Sequence, residues 1–291
     1  MTIFKYSGAG NDFVVLDGRS GGVDKYREVS AIKDICREYH TDGLMILGPS
    51  PVIPGVSGNP DFTMEFYNPD GSSGMMCGNG GRCITAFADS LGIKPTNGKV
   101  YIFSAPDGLH TGEILSRDGD VTWTVKLGMI DVHGVAGYPD GLFLNTGTRH
   151  FCVFMDDVDS LDVETIAPPL RHDRRFAPEG TNVNFISVRN NGLKVRTFEK
   201  GVEGETLACG TGITASAIAA YVRGASPSLR NGASVCYDVF ARSGDRLSVD
   251  FIPSVNSPSP DITGSSSVIP GLRGNLTFTG VFLTGPARRI I

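Results

Sequence analysis

The spacing of apolar and polar side chains predicts a chain built mainly of short strands. Residues 61–67 alternate apolar and polar positions, as in a half-buried strand, and residues 44–47 form an apolar run typical of a buried strand. Residues 25–39 carry apolar side chains at helical spacing, which predicts an amphipathic helix. Further strand-like runs occupy residues 3–6, 13–17, 100–103, 113–115, 121–127, 142–154 (with a turn inside), 183–188, 193–198, 235–241, 247–252 and 276–283. The pattern therefore predicts an α+β fold.

Two further helices are predicted directly after loops that combine cysteine with glycine. Met76-Cys77-Gly78-Asn79-Gly80 precedes a helix at about residues 80–91, and Ala208-Cys209-Gly210-Thr211-Gly212 precedes one at residues 211–223. The first N–H groups of a helix have no acceptor within the helix, and the helix dipole is positive there. A thiolate is stabilised at such a position, and an anion can bind the same N–H groups. Both cysteines are therefore candidates for chemistry.

The chain repeats more than this cysteine loop. The segment starting at Gly8-Ala9-Gly10 resembles the one starting at Thr146-Gly147-Thr148, and Thr41-Asp42-Gly43 resembles Thr181-Asn182-Val183, at nearly the same separation as the two cysteines. Three matches in one order indicate two homologous halves. Residues 128–138 lack a strong pattern, so we place the boundary there, with halves at 1–131 and 132–283. Each half is predicted to wrap strands around a central helix, with its cysteine turn facing the other across a cleft.

Three segments carry weaker predictions. Residues 49–60 predict a proline-rich loop, and residues 253–274, rich in Ser, Pro and Gly, predict a long loop or insertion. Residues 163–171 predict a short helix that Pro168 and Pro169 break.

Charge and composition narrow the functional classes. The formal net charge of −5 argues against nucleic acid or an anionic membrane as the main partner. The start lacks the apolar core of a signal peptide, and no apolar run approaches the roughly 20 residues of a membrane span, so a cytoplasmic location is expected. The six cysteines form neither a secreted disulfide pattern nor a metal-binding spacing. The four outside the repeated loops are expected to be buried: Cys36, Cys83, Cys152 and Cys236.

Two cysteines at helix starts suit inversion of an amino-acid stereocentre. A thiolate can remove the α-proton from one face while a thiol returns a proton to the other, and the roles reverse for the back reaction. Helix N-termini would stabilise the charge that develops on the substrate carboxylate. This chemistry requires no metal and no cofactor.

The motifs together resemble those of the diaminopimelate epimerase family over essentially the whole chain. The matching segments are residues 7–13, 67–72, 76–80, 180–185, 203–212 and 283–287. The resemblance implies a pyridoxal-independent isomerase that interconverts LL- and meso-diaminopimelate in lysine and peptidoglycan precursor synthesis. It also implies a homodimer and two similar lobes, with the last strand, residues 284–291, returning to the first lobe.

The same resemblance assigns roles to individual residues. It implies that Cys77 and Cys209 are the acid/base pair and that His150 lies close to them. Residues matching the backbone donors to the reacting carboxylate are Gly78, Asn79, Gly210 and Thr211. Residues matching the groups that hold the rest of the substrate are Asn11, Asn68, Asn182, Glu199 and Lys200.

The residues that depart from the family pattern are expected to lie at the edge of the substrate site. Lys200 stands where many members have arginine, Gly43 where many have glutamine, and Thr148-Arg149 where many have Asn-Pro. Lysine lacks the planar guanidinium with which arginine binds a carboxylate through two hydrogen bonds. We therefore expect these changes to affect how the far end of the substrate is recognised. Two alternatives stay open: another pyridoxal-independent two-cysteine racemase, and a non-catalytic thiol protein.

Overall fold

The computed structural model describes residues 1–51, 59–74, 76–230, 234–256 and 275–290. The chain folds into two compact units, the first formed by Met1–Gly128 with Thr284–Ile291 and the second by Met129–Leu283. Most of the predicted proline-rich loop and most of the predicted insertion, residues 52–58 and 257–274, lie outside the described residues. No helix in the described ranges is long and apolar enough to cross a bilayer.

The first unit pairs its strands into a closed circuit around one helix. Its strands are β1 (Phe4–Gly8), β2 (Asn11–Asp17), β3 (Leu44–Gly48), β4 (Phe62–Tyr67), β5 (Val100–Ala105), β6 (Gly108–Asp118), β7 (Thr122–Gly128) and the end of β18 (Asn275–Arg289). Each strand pairs with the next, β2–β3 and β4–β5 in parallel and the others antiparallel. The end of β18 pairs with both β7 and β1, which closes the circuit.

Helix α2 (Gly78–Ser90) occupies the interior of this circuit, and α1 (Val29–Tyr39) covers its outside. Every residue of α2 from Gly78 to Ala88 is buried, and the helix packs against β1, β2, β3, β6 and β7. Small residues permit this approach: a Cβ at Gly81 would lie 2.9 Å from Leu127, and one at Gly8 would lie 2.7 Å from the Asn79 carbonyl oxygen. The start of α2 is therefore fixed by backbone packing rather than by a flexible loop.

The second unit repeats this arrangement. Its strands are β8 (Val132–His133), β9 (Ala136–Tyr138), β10 (Gly141–Asn145), β11 (Arg149–Phe154), β12 (Asn182–Arg189), β13 (Gly192–Glu199), β14 (Gly204–Thr206), β15 (Ser228–Arg230), β16 (Ser234–Phe240), β17 (Arg246–Asn256) and the start of β18; its helices are α3 (Val163–Arg171) and α4 (Gly210–Val222). The pairs β10–β11, β12–β13 and β16–β17 are antiparallel, and β11–β12 and β13–β16 are parallel. The alternation matches that of β1 to β6, as the sequence repeat predicts.

Helix α4 is apolar on all sides because strands surround it. It packs against β10 to β13, β16 and β17, and its residues from Gly212 to Ala220 are buried. An α+β fold rich in strands, with one central helix in each unit, is confirmed. The predicted break in α3 is wrong, since the helix runs through Pro168 and Pro169. Each proline removes only one hydrogen bond, and the Asp162 carboxylate caps the helix start by accepting from the Thr165 N–H.

Candidate active site

Cys77 is the N-cap of α2. Its backbone is extended, with φ −101° and ψ 152°, and its half-buried Sγ accepts a hydrogen bond of 3.2 Å from the Gly80 N–H. Gly78 and Asn79 follow in the first turn, where backbone N–H groups have no acceptor within the helix. The Asp107 carboxylate accepts from the Met76 N–H at 3.2 Å and so holds the approach to the turn. The sulfur therefore lies where the helix dipole favours negative charge.

A buried polar chain lies beneath this turn. Asn79 Nδ2 donates to Asn11 Oδ1 at 2.6 Å, and Asn79 Oδ1 accepts from Arg82 Nη2 at 2.9 Å. The Arg82 guanidinium is fully buried and also donates to the Gly78 and Pro286 carbonyls, at 3.1 and 3.2 Å. Sequence reasoning missed Arg82, although a lone cation inside a run of small and apolar helical residues is a signal. Its charge supports binding of an anion at the helix start.

Asn68 lies apart from these contacts, at the end of β4. Its Nδ2 donates to Ser72 Oγ at 3.0 Å, and its N–H donates to the Ser72 carbonyl at 2.9 Å, so the residue shapes the turn after the strand. Gly43 is held close to the same strand: a Cβ there would lie 2.7 Å from the Phe66 ring and 2.8 Å from the Tyr67 carbonyl oxygen. The position where many relatives are expected to carry glutamine therefore has no space for a side chain here.

In the second unit, Cys209 precedes α4 as Cys77 precedes α2. It is also the helix N-cap, with φ −108° and ψ 112°, but only 7% of its surface is exposed. Its Sγ lies 3.4 Å from Thr211 Oγ1. A Cβ at Gly212 would lie 2.4 Å from Asn184 Oδ1, so only glycine fits between the sulfur-bearing turn and β12. Gly210, Thr211 and Cys209 thus form one rigid corner.

His150 is brought to this corner by β11. Its ring is fully buried, with Nε2 at 2.9 Å from Thr148 Oγ1 and 3.0 Å from Thr211 Oγ1. Nδ1 lies 3.0 Å from Asn184 Nδ2. Burial disfavours the charged ring and lowers the pKa of His150 to about 3, so the imidazole is neutral at physiological pH.

The remaining predicted residues of this unit meet at the end of β13. Asn182 is buried, and its Nδ2 donates to the Arg149 carbonyl at 2.8 Å and to Thr148 Oγ1 at 3.3 Å. Its Oδ1 accepts from the Lys200 N–H at 2.7 Å. Glu199 is half-buried and Lys200 is exposed. The Asn182 side chain thus links the turn at Glu199 and Lys200 to β12.

Glu205, which sequence reasoning also missed, anchors the segment that leads to Cys209. Its side chain is 2% exposed and accepts two hydrogen bonds from Arg196, from Nε at 2.6 Å and from Nη2 at 2.7 Å. A third contact comes from Arg242. The Glu205 N–H donates to Glu164 Oε1 at 2.9 Å. Glu205 is therefore a buried carboxylate whose ion pairs hold this segment in place.

Comparisons with known proteins show the family to which the chain belongs. The family model described as diaminopimelate epimerase matches residues 3–128 and 142–234, well over half of the chain. The chain belongs to the diaminopimelate epimerase family. A protein of Chlorobaculum tepidum named diaminopimelate epimerase is 37% identical over 255 residues, 84% of this chain and 91% of that protein. One of Flavobacterium psychrophilum with the same name is 34% identical over 291 residues, 99% of this chain and 97% of that protein.

Solved structures extend the likeness of the fold beyond the diaminopimelate epimerase family. A phenazine biosynthesis protein of the PhzF family from Bacillus anthracis gives a TM-score of 0.66 at 13% identity, covering 99% of this chain and 96% of that chain. A probable proline racemase from Agrobacterium radiobacter gives 0.58 at 16% identity, covering 98% and 89%. At these identities the likeness shows the fold alone.

Proposed function

We propose that this chain interconverts LL- and meso-diaminopimelate. The observation that carries the proposal is a pair of equivalent cysteines, each the N-cap of the buried central helix of its own unit. Membership of the diaminopimelate epimerase family, with relatives of that name at 34–37% identity, supports the choice of substrate. The chain is thus proposed to act as an isomerase.

Inversion requires one proton donor or acceptor for each face of the α-carbon. We assign these roles to Cys77 and Cys209. In one direction a thiolate takes the α-proton and becomes a thiol, while the other thiol delivers its proton to the opposite face and becomes a thiolate. The proton count is unchanged after one turnover, and the next turnover begins from the reversed pair. Because the two thiols supply both proton transfers, no cofactor or metal enters the proposed mechanism.

The α-carboxylate is proposed to bind the first-turn N–H groups of both central helices. These belong to Gly78 and Asn79 in the first unit and to Gly210 and Thr211 in the second. Negative charge on the carboxylate grows as the α-proton leaves, so donors fixed at a helix start stabilise the transition state more than the ground state. The buried Arg82 charge beneath Asn79 adds to this effect in the first unit.

The distal end of diaminopimelate carries a second amino group and a second carboxylate. We propose that Asn11 and Asn68 bind it from the first unit, and that Asn182, Glu199 and Lys200 bind it from the second. The Asn182 amide acts largely by fastening the turn that carries the other two. A substrate such as proline has no second amino-acid group for these residues to bind, which disfavours it.

Incubation of the reduced protein with LL-diaminopimelate in deuterated water tests the proposal. Deuterium should enter the α-position as the meso isomer forms, and both should stop in Cys77→Ala and in Cys209→Ala. Cys36→Ala, at a buried cysteine of α1, is the matched control and should retain activity. Absence of deuterium uptake from diaminopimelate, with uptake from proline or glutamate, would reassign the substrate. Absence from all three would support the non-catalytic thiol protein.

The homodimer implied by the family resemblance is part of the same proposal. Sedimentation velocity over a hundredfold range of concentration would test it. A species near the 30.9 kDa of a single chain at every concentration would refute it.

A further inference from the structure

A continuous chain of hydrogen-bonding side chains ends at the sulfur of Cys209. Thr197 Oγ1 donates to Asn184 Oδ1 at 3.0 Å, and Asn184 Nδ2 lies 3.0 Å from His150 Nδ1. On the other side of the ring, Nε2 faces Thr211 Oγ1, which lies 3.4 Å from Cys209 Sγ. The inner members, Thr197, Asn184 and His150, are each 3% exposed or less.

The hydrogen bonds among Thr197, Asn184 and His150 determine which nitrogen of the His150 ring carries the proton. In the structure Asn184 Oδ1 accepts from the Thr197 hydroxyl, and the Asn184 NH₂ group faces His150. An NH₂ group can only donate, so Nδ1 must be the accepting nitrogen of the neutral ring. The ring proton is then on Nε2, which donates it to the nearer threonine hydroxyl, Thr148 Oγ1 at 2.9 Å.

From this donor the hydrogen bonds continue through Thr148 and Thr211 toward Cys209. Thr148 Oγ1 accepts from Asn182 Nδ2 at 3.3 Å and lies 2.9 Å from the His150 donor. With both acceptor positions occupied, the Thr148 hydroxyl donates to Thr211 Oγ1, 3.1 Å away. Thr211 Oγ1 accepts from Thr148, so its own proton is left for Cys209 Sγ, 3.4 Å away. Every hydrogen bond in the chain thus points toward the sulfur.

We propose that Asn184 is a positioning residue for proton transfer, which holds His150 in the Nε2–H tautomer and thereby turns the Thr211 hydroxyl to donate to Cys209. The catalytic consequence rests on the proposed function, because it concerns the thiolate state that the epimerase mechanism requires of Cys209. A hydroxyl donor stabilises a thiolate more than a thiol. Thr148, one of the departures from the family pattern, supplies a hydroxyl link in this chain.

The Thr211 hydroxyl can be removed without changing the volume of the side chain. Thr211→Val should raise the pKa of the Cys209 thiol by about one unit, the value of a hydrogen bond to a charged group. Alkylation by iodoacetamide should therefore slow about tenfold below that pKa, followed on the Cys209 peptide by mass spectrometry between pH 6 and 10. Thr211→Ser should restore the wild-type profile. Thr214→Val is the matched control, because that buried hydroxyl donates within α4 to the Gly210 carbonyl.

The tautomer is measured in the unmodified protein. Nitrogen and carbon chemical shifts of labelled histidine distinguish Nε2–H from Nδ1–H, and His150→Gln assigns the signal among the five histidines. We expect Nε2–H; an Nδ1–H ring would overturn the proposal. Asn184→Ala should reproduce the Thr211→Val shift in the Cys209 profile, and the double variant should add nothing further. An additive effect would also overturn it.

Neither measurement uses a substrate, so the two proposals fail separately. A normal Cys209 profile in Thr211→Val, in a protein that still inverts diaminopimelate, would refute the positioning role alone. The expected tautomer and profile in a protein without deuterium exchange would refute the epimerase assignment alone. Circular dichroism establishes that each variant is folded.

Discussion

The buried Glu205 carboxylate offers the sharpest test of how the segment before Cys209 is held. Glu205→Gln keeps the shape of the side chain and removes its charge. One amide oxygen remains to accept from Arg196, while the new NH₂ group faces guanidinium N–H groups and cannot accept from them. The substitution thus breaks a two-point ion pair whose acidic partner is 2% exposed and whose basic partner is 14% exposed.

The size of the effect follows from these exposures. Charge-assisted hydrogen bonds contribute about 1.5–3 kcal/mol each, and breaking a buried pair from one side costs about 3–5 kcal/mol. Arg196 retains carbonyl acceptors on Val158 and Leu161, at 2.9 and 2.6 Å, which reduces the penalty. We therefore expect a loss of about 2–4 kcal/mol. The Arg242 side chain is 47% exposed, so Arg242→Ala should cost less than about 1 kcal/mol.

Hydrogen exchange on peptides from β13 and β14 measures this loss where it occurs. The amides of the Phe198–Glu205 and Thr197–Thr206 pairs report local opening of the segment. A loss of about 2–4 kcal/mol corresponds to exchange faster by roughly 30- to 1,000-fold, at about 1.4 kcal/mol for each factor of ten. An acceleration below about fivefold, or an equal one in Arg242→Ala, would show that the buried pair is not the anchor.

Three further predictions concern other buried groups. Because the pKa of His150 falls from 6.5 in the unfolded chain to about 3, stability should decrease by up to about 1.4 kcal/mol per pH unit as pH falls through that window. His150→Gln should lack this component of the urea-unfolding profile, and an unchanged slope would contradict the assignment. Gly43→Ala should cost about 1–3 kcal/mol in the same assay, because the Tyr67 carbonyl beside it cannot move away; a cost below about 0.5 kcal/mol would show that the site relaxes. Arg82→Lys should cost about 2–4 kcal/mol and lower kcat/KM, because one ammonium cannot reach the three oxygens that the guanidinium binds; full activity and stability would refute this role.

The sequence predicts most elements of this fold because burial of one face of a strand or helix imposes a regular spacing of apolar residues. The strand at residues 44–47 and the helices after the two cysteines are found in place, and α2 starts two residues early because Cys77 itself is the N-cap. The long helix expected at 25–39 is interrupted: Glu28 is extended, and a short 3₁₀ helix, Asp24–Arg27, precedes α1. Strand β6 is longer than expected, since much of it is exposed and its side chains carry no clear alternation.

The candidate site is harder to predict, for a reason that its own residues show. Cysteine and glycine at a helix start act locally, so the neighbouring residues in the sequence are enough to identify them. Asn184, by contrast, acquires its role from Thr197 on one neighbouring strand and His150 on the other. In the sequence it is a polar residue between the apolar Val183 and Phe185, a position where burial of an amide costs free energy unless each atom is paired. Sequence alone can mark such a residue as anomalous, but only the pairing of β11, β12 and β13 identifies its partners, and those partners set the direction in which it orients a proton.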